Sequence, residues 1–312
     1  MGRDPRYLPR PGSLVEITQR TFQGRFLLRP SERFNALAAG CLAKAQEGTG
    51  ATLHAVAFLS NHFHLLASFE SVEQMSRFMC RLKTSLSIEL RSLHGWSGSS
   101  FDHRYRSIPI SDEPAAQLER LDYLLGQGCK EDLVASPRDW PGVHCVDALL
   151  RGQAIEGVWI DRTAFHQSGG RRKELRLCDF EEAVQLELEP LPAFSALSPS
   201  EWRGLVEERL LEVEEESRRR REREGTVPAG AGAVLAADPH REGPELVKSP
   251  RPRHHAFARA VRNALAEGFR EFLRAYRHAA RELAAGAVAV QFPENCFPPG
   301  LPFVAPSPPE PG

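Results

Sequence analysis

The chain has 312 residues with a formal net charge of −1, long enough for one buried core plus an extension. That balance excludes a uniformly basic nucleic-acid binder, so any polyanion must meet cations gathered locally. Six cysteines with no C-x-x-C pair argue against a disulfide scaffold and a zinc ribbon.

In chain order, residues 14–28 are rich in β-formers and interrupted by Gly24, which predicts a bent strand or hairpin. Pro30-Ser31 opens a helix with Phe34, Leu37, Ala38, Cys41 and Leu42 at helical spacing, stopped by Gly48 and Gly50. Residues 53–58 and 62–69 read as two short strands joined at Ser60-Asn61. Ser71 and Gln74 form a candidate capping box before the stripe Met75, Phe78, Met79, Leu82, Leu86 and Leu90. A strand over 103–110 follows, then a helix opened by Asp112-Glu113-Pro114. The order β-α-β-β-α-β-α predicts a ferredoxin-like α+β fold, a four-stranded antiparallel sheet with helices on one face, followed by a helical C-terminal extension.

Composition changes near residue 165. The expected division is a domain over 1–165, a linker and charged helix over 166–224, a flexible Gly/Ala/Pro-rich linker over 225–252, and a helix with a Pro-rich tail over 253–312. The run Arg218–Arg223 reads as a solvated charge run. Arg259, Arg262, Arg270, Arg274, Arg277 and Arg281 fall on one arc of the last helix, either a phosphate-tracking row or a solvated face. The start of the chain has no apolar signal-peptide segment, and no apolar run approaches the roughly 18–20 residues of a membrane span. The expectation is a cytoplasmic protein with no membrane partner.

Two features carry chemistry. On a strand, His62 and His64 project to the same face, and two imidazoles side by side can chelate one metal ion. On the helix before residue 126, Leu118, Leu121 and Leu125 form the apolar stripe. Tyr123 falls nearly opposite, with Gln127 one turn further on. Tyr105 lies between Arg104 and Arg106 in a strand-like segment.

Four blocks bear on these features. Ser60-Asn61-His62-Phe63-His64-Leu65-Leu66 resembles the Pro-Asn-His-Val-His-Leu-Leu block of REP-associated and insertion-sequence-200-like single-tyrosine HUH transposases. Phe101-Asp102-His103-Arg104-Tyr105-Arg106 resembles their Phe-x-x-Arg-Tyr segment. The stretch from Tyr123 to Val134 is similar, without a gap, to Tyr-Ile-x-x-Asn-Pro-Val-Lys-x-Gly-Leu-Val. Pro137-Arg138-Asp139-Trp140-Pro141 matches the Pro-x-x-Trp-Pro that follows. The resemblance spans about residues 10–150 and departs at Ser60 (for Pro), Gln127-Gly128 (for Asn-Pro) and Asp132 (for Gly).

The resemblance implies a single-stranded DNA nickase and strand transferase, with Tyr123 as nucleophile and His62, His64 and Gln127 as metal ligands; Tyr105 is the rival nucleophile, in a segment better suited to a structural or DNA-contacting role. Arg104, Arg106 and Lys130 would contact DNA. The partner would be single-stranded DNA, hairpin or palindromic, and a homodimer is compatible with it. It also implies Mg2+ or Mn2+, although imidazole donors by themselves suit zinc, nickel or copper better. Two other readings stand beside it: a domesticated hairpin-binding protein with little or no cleavage, and a metal-dependent phosphoesterase that uses water.

Overall fold

The computed structural model describes residues 5–243, 252–287 and 289–299. Its centre is an antiparallel sheet of β1 (Ser13–Arg20), β2 (Thr52–Leu59), β3 (His62–Phe69) and β4 (Arg106–Pro109), in the order β2-β3-β1-β4. Only the first part of the predicted 14–28 segment is strand. It ends at Arg20, and a 3-10 turn over Phe22–Gly24 takes the chain away from the sheet.

Helix α1 (Glu32–Glu47) starts where Ser31 accepts from the Phe34 N–H at 3.1 Å. Helix α2 (Val72–His94) starts where Ser71 accepts from Gln74 N–H at 3.0 Å, and ends at the left-handed Gly95. The predicted capping box is half made, because Gln74 Oε1 accepts from the Glu70 N–H rather than from Ser71. Helix α3 (Pro114–Leu125) begins with Pro at its first position, as expected.

Strand alternation sorts the sheet into two faces. Val15, Ile17, Phe63, Leu65 and Ala67 point to one side and join the apolar faces of α1 and α2 in a core that includes Phe34, Phe78 and Leu82. Leu14, Ala57 and Leu66 point to the other and meet α3, α4 (Val146–Arg151) and α6 (Pro199–Glu224). The expected helices α1 and α2 share one face. The second face is covered as well, by α3 and by the extension.

A second sheet pairs β5 (Ile155–Ile160) with β6 (Glu181–Leu186), so the expected boundary at 165 falls between its two strands. It lies directly on α1. A Cβ on Gly40 would sit 2.0 Å from Val158 O, and one on Gly157 would sit 2.4 Å from Gly40 N, so this contact admits no side chain at either position. Between the strands lie α5 (Arg162–Gln167) and 3-10 turns over Gly170–Lys173 and Leu177–Phe180, where a linker was expected.

Of the Gly/Ala/Pro-rich stretch 225–252, residues 244–251 lie outside the described residues. Part of the rest is laid along the domain by backbone bonds, with Ala229 N–H to Asp132 O at 2.8 Å and Gly230 N–H to Leu133 O at 2.9 Å, and includes α7 (Ala231–Ala236). The chain returns beside β4, where His255 N–H donates to Pro109 O at 2.8 Å, and enters α8 (Arg259–Ala284). Tyr7 packs between Phe269 and Phe272 of α8. Most of the expected Pro-rich tail, residues 300–312, lies outside the described residues.

Candidate active site

The face of the sheet that meets α3 changes character along its length. At one end Leu14, Leu66 and Ile110 are apolar and covered. At the other the same alternation presents Glu16, Thr18 and Arg20 from β1 and His62 and His64 from β3. The register pairs Arg20 with His62 and Thr18 with both His64 and Arg106. Arg106, expected to contact DNA, therefore stands in one cross-strand row with His64.

The two imidazole rings lie 5.0 Å apart, nearly perpendicular. Each has its Nδ1 engaged by the protein. His62 Nδ1 donates to Asn61 Oδ1 at 2.7 Å, and His64 Nδ1 donates to Glu16 Oε1 at 3.1 Å, with Thr18 Oγ1 at 3.2 Å. Such partners fix the tautomer and leave Nε2 as the lone-pair donor, as in carboxylate–histidine–metal arrangements. His62 keeps a partly exposed edge, yet burial, with the charges of His64 and Arg20 adding to it, pulls its pKa down to about 3, so the ring is neutral.

Glu16 is 3% exposed, on a strand flanked by the buried Val15 and Ile17. Burial opposes its charge. The hydrogen bond from His64 and the guanidinium of Arg120, which pairs with the other carboxylate oxygen, outweigh that penalty and hold it below the ordinary carboxylate range. Arg120 also lies over the Tyr123 ring at 4.2 Å.

Tyr123 sits on the last turn of α3, its ring centroid 5.5 Å from that of His64 in an edge-to-face arrangement. Lys130 Nζ lies over the same ring at 4.7 Å, so two cations flank it. The helical wheel suggested a ring presented to solvent; it is instead half-buried against His64. Leu121, Leu124 and Leu125 bury the opposite side. The helix stops at Gly126, and Gln127, only 1% exposed, turns back to donate from Nε2 to Tyr123 O at 2.9 Å. The structure thus brings together Tyr123, His64, His62 and Lys130, with Gln127 bonded to the tyrosine's own carbonyl, while Arg106 stands two strands from His64 and, like Arg104, is exposed. Tyr105 is buried in the core shared with α1 and α2, which separates it from the imidazoles by the sheet.

Sequence reasoning missed Glu16, Thr18, Asn61 and Arg120. The available signal was a carboxylate alternating with Val15 and Ile17 on a strand, a pattern in which a buried acid needs a partner. It also took Arg218–Arg223 as solvated. Arg218 and Arg219 do pair with Glu215 on their own helix, but Arg220 pairs with Asp132 and donates to Cys129 O at 2.9 Å, and Arg221 donates to Ala135 O at 3.2 Å. With the Arg209 fork on Asp122 (Nε to Oδ1 3.0 Å) and the Ser136–Glu214 hydrogen bond, α6 grips the segment carrying Tyr123, Gln127 and Lys130 at both ends.

The donor set fits a divalent cation. With both Nδ1 atoms engaged, each imidazole keeps Nε2 for a cation, and the His64 ring adjoins Tyr123. Among the described residues no group of three His, Cys, Asp or Glu side chains could hold a metal, so the remaining ligands would be Gln127 and oxygens from outside the chain. A cavity of about 910 Å³ between α1, α4 and the β5–β6 sheet contains none of these residues. Among the described residues no helix is long and apolar enough to cross a membrane.

Fold and site define a ferredoxin-like α+β protein with a tyrosine set beside a pair of imidazoles on the interior strand β3. No family model matches the chain, and no curated protein matches it. Solved structures similar to it include two at 16% identity. One is a REP-associated tyrosine transposase bound to a REP hairpin, covering 48% of this chain and 86% of that one with a TM-score of 0.42. The other is a candidate transposase from Deinococcus radiodurans R1, covering 39% of this chain and 95% of that one with a TM-score of 0.28.

Proposed function

We propose that this chain nicks and rejoins single-stranded DNA at or near hairpins through Tyr123. The observation that carries the reading is the Tyr123 ring against His64, between the cations of Arg120 and Lys130. The four sequence blocks described above support it independently.

Tyr123 Oη attacks phosphorus in line, an O–P bond forms and the P–O3′ bond breaks. The proton lost by the phenol is balanced by the one gained by the departing 3′-oxygen. A 5′-phosphotyrosine retains the energy of the phosphodiester, so the strand is rejoined when a 3′-hydroxyl attacks in reverse. A divalent cation, Mg2+ or Mn2+, held by His62, His64 and Gln127 would act as a Lewis acid on a non-bridging phosphate oxygen. Arg120 and Lys130 place positive charge beside the phosphate, and Arg106 continues it along the sheet. Glu16 and Asn61 hold the two imidazoles in one tautomer and orientation. The grip of α6 keeps the tyrosine at the end of a fixed helix.

The test is incubation of the full chain with Mn2+ and a labelled hairpin with single-stranded flanks, followed by denaturing electrophoresis. A covalent adduct that disappears in Tyr123→Phe is expected. Tight binding without adduct would leave hairpin recognition alone, and a free 5′-phosphate product that survives Tyr123→Phe would assign the nucleophile to water.

A further inference from the structure

Residues 229–243 belong to none of the four sequence blocks, yet they touch both halves of the candidate site. At one end, the Ala229 and Gly230 N–H groups donate to Asp132 O at 2.8 Å and Leu133 O at 2.9 Å. Both carbonyls lie in the loop that follows Tyr123 and carries Lys130. Further on, Val234 of α7 enters an apolar cluster with Leu59, Cys129, Val134 and Trp140. That cluster ties the tyrosine loop to the end of β2, where Trp140 Nε1 donates to Phe58 O at 2.8 Å.

The stretch then crosses to the β2–β3 turn. Arg29 donates to Leu235 O, Arg25 pairs with Glu242, and the Phe26 N–H donates to Arg241 O at 3.2 Å. It reaches Gly243, where a Cβ would collide with Gly24 O and sit 3.0 Å from Asn61 Nδ2. The other arm of the same amide, Asn61 Oδ1, accepts from His62 Nδ1 at 2.7 Å. Gly24 is packed from behind in its turn, since a Cβ on it would collide with the guanidinium of Arg20, the cross-strand partner of His62.

An outer partner fixes an imidazole only as well as the partner is itself fixed. The terminal torsion of an asparagine has broad minima, so an unsupported amide in a turn sweeps past the ring and holds neither tautomer. The Gly243 backbone closes the space on the far side of the Asn61 amide, and the bonds of Leu235, Arg241 and Glu242 keep that backbone in place.

We infer that residues 229–243 are a brace between the tyrosine loop and the imidazole pair, with Gly243 a positioning residue that holds the His62 ring through the Asn61 amide. The inference rests on the proposed function and deepens it, and its first readout needs neither metal nor DNA.

The test is long-range proton–nitrogen NMR of the full chain labelled at histidine, with the His62 signals identified by their loss in His62→Gln. The wild type is expected to hold His62 as one Nδ1–H tautomer. In Gly243→Ala the added methyl displaces the Asn61 amide and His62 spreads over both tautomers. His54, at the far end of β2, keeps its pattern and reports an intact fold. Calorimetry without DNA should show Mn2+ dissociation rising about 10–100-fold, the usual range for a lost outer partner. Val234→Ala, which adds no volume, shifts the His62 pattern the same way, and its effect with Gly243→Ala is less than additive, because both act through one element. Gly232→Ala, whose Cβ meets nothing within 4 Å, leaves every readout unchanged. An unaltered His62 pattern in folded Gly243→Ala or folded Val234→Ala, or strictly additive losses, would overturn the brace. Adduct formation at Tyr123 is scored separately. The expected His62 and Mn2+ responses in a chain that forms no adduct remove the cleavage reading alone, and a wild-type adduct rate with unaltered His62 in Gly243→Ala removes the brace alone.

Discussion

Glu16→Gln isolates the contribution of the buried carboxylate behind His64. In the native protein one oxygen accepts from His64 Nδ1 at 3.1 Å and the other pairs with Arg120. Glutamine keeps the shape and an acceptor for His64 but turns a neutral amide donor toward the guanidinium. Losing a charge-assisted partner costs roughly 1.5–3 kcal/mol. The value should stay below the roughly 3–5 kcal/mol of a fully buried broken pair, because the Arg120 side chain is 19% exposed and water can reach it. Urea unfolding measures that part. The functional part is separate. With a weaker acceptor behind His64, Nε2 becomes less basic and less well aimed, and Mn2+ dissociation should rise about 10–100-fold, the usual range for such partners. Calorimetric titration of wild type, Glu16→Gln and His64→Ala reads it directly. A folded Glu16→Gln that binds Mn2+ as wild type does would refute the reasoning and reduce Glu16 to a packing residue. A wild type indifferent to His64→Ala would remove the metal site itself.

Arg209→Ala should slow adduct formation while leaving hairpin affinity unchanged, because it frees Asp122, the neighbour of Tyr123, from α6. Stopped-time adduct assays beside anisotropy check this, and Arg209→Lys should recover part of the rate. The pH dependence of stability should be steep on the acid side. Burial lowers His54 and His144 from 6.5 to about 4 each, so the unfolded chain takes up protons that the folded chain refuses. Their contribution, about 3 kcal/mol per residue, is full above pH 6.5 and is lost as pH falls through 4. A melting temperature flat between pH 7 and pH 4.5 would contradict it.

Much of this protein was written locally. Helix starts at Ser31, Ser71 and Pro114, the strand pair around Ser60-Asn61 and the shared face of His62 and His64 follow from caps, turns and a period of two, which depend only on neighbours in the chain. Helical spacing sets Tyr123 apart from the Leu121–Leu125 stripe, but its standing as candidate nucleophile came from the resemblance of the four blocks. What no local pattern contains is which distant side chain completes a pair. Glu16 meets His64 only because β1 lies between β3 and β4 in register. Arg220 leaves its run of arginines to hold Asp132 only because α6 packs beside α3. The second covered face and the β5–β6 layer on α1 are equally products of long-range packing, where the partner is chosen by three-dimensional fit rather than by sequence distance.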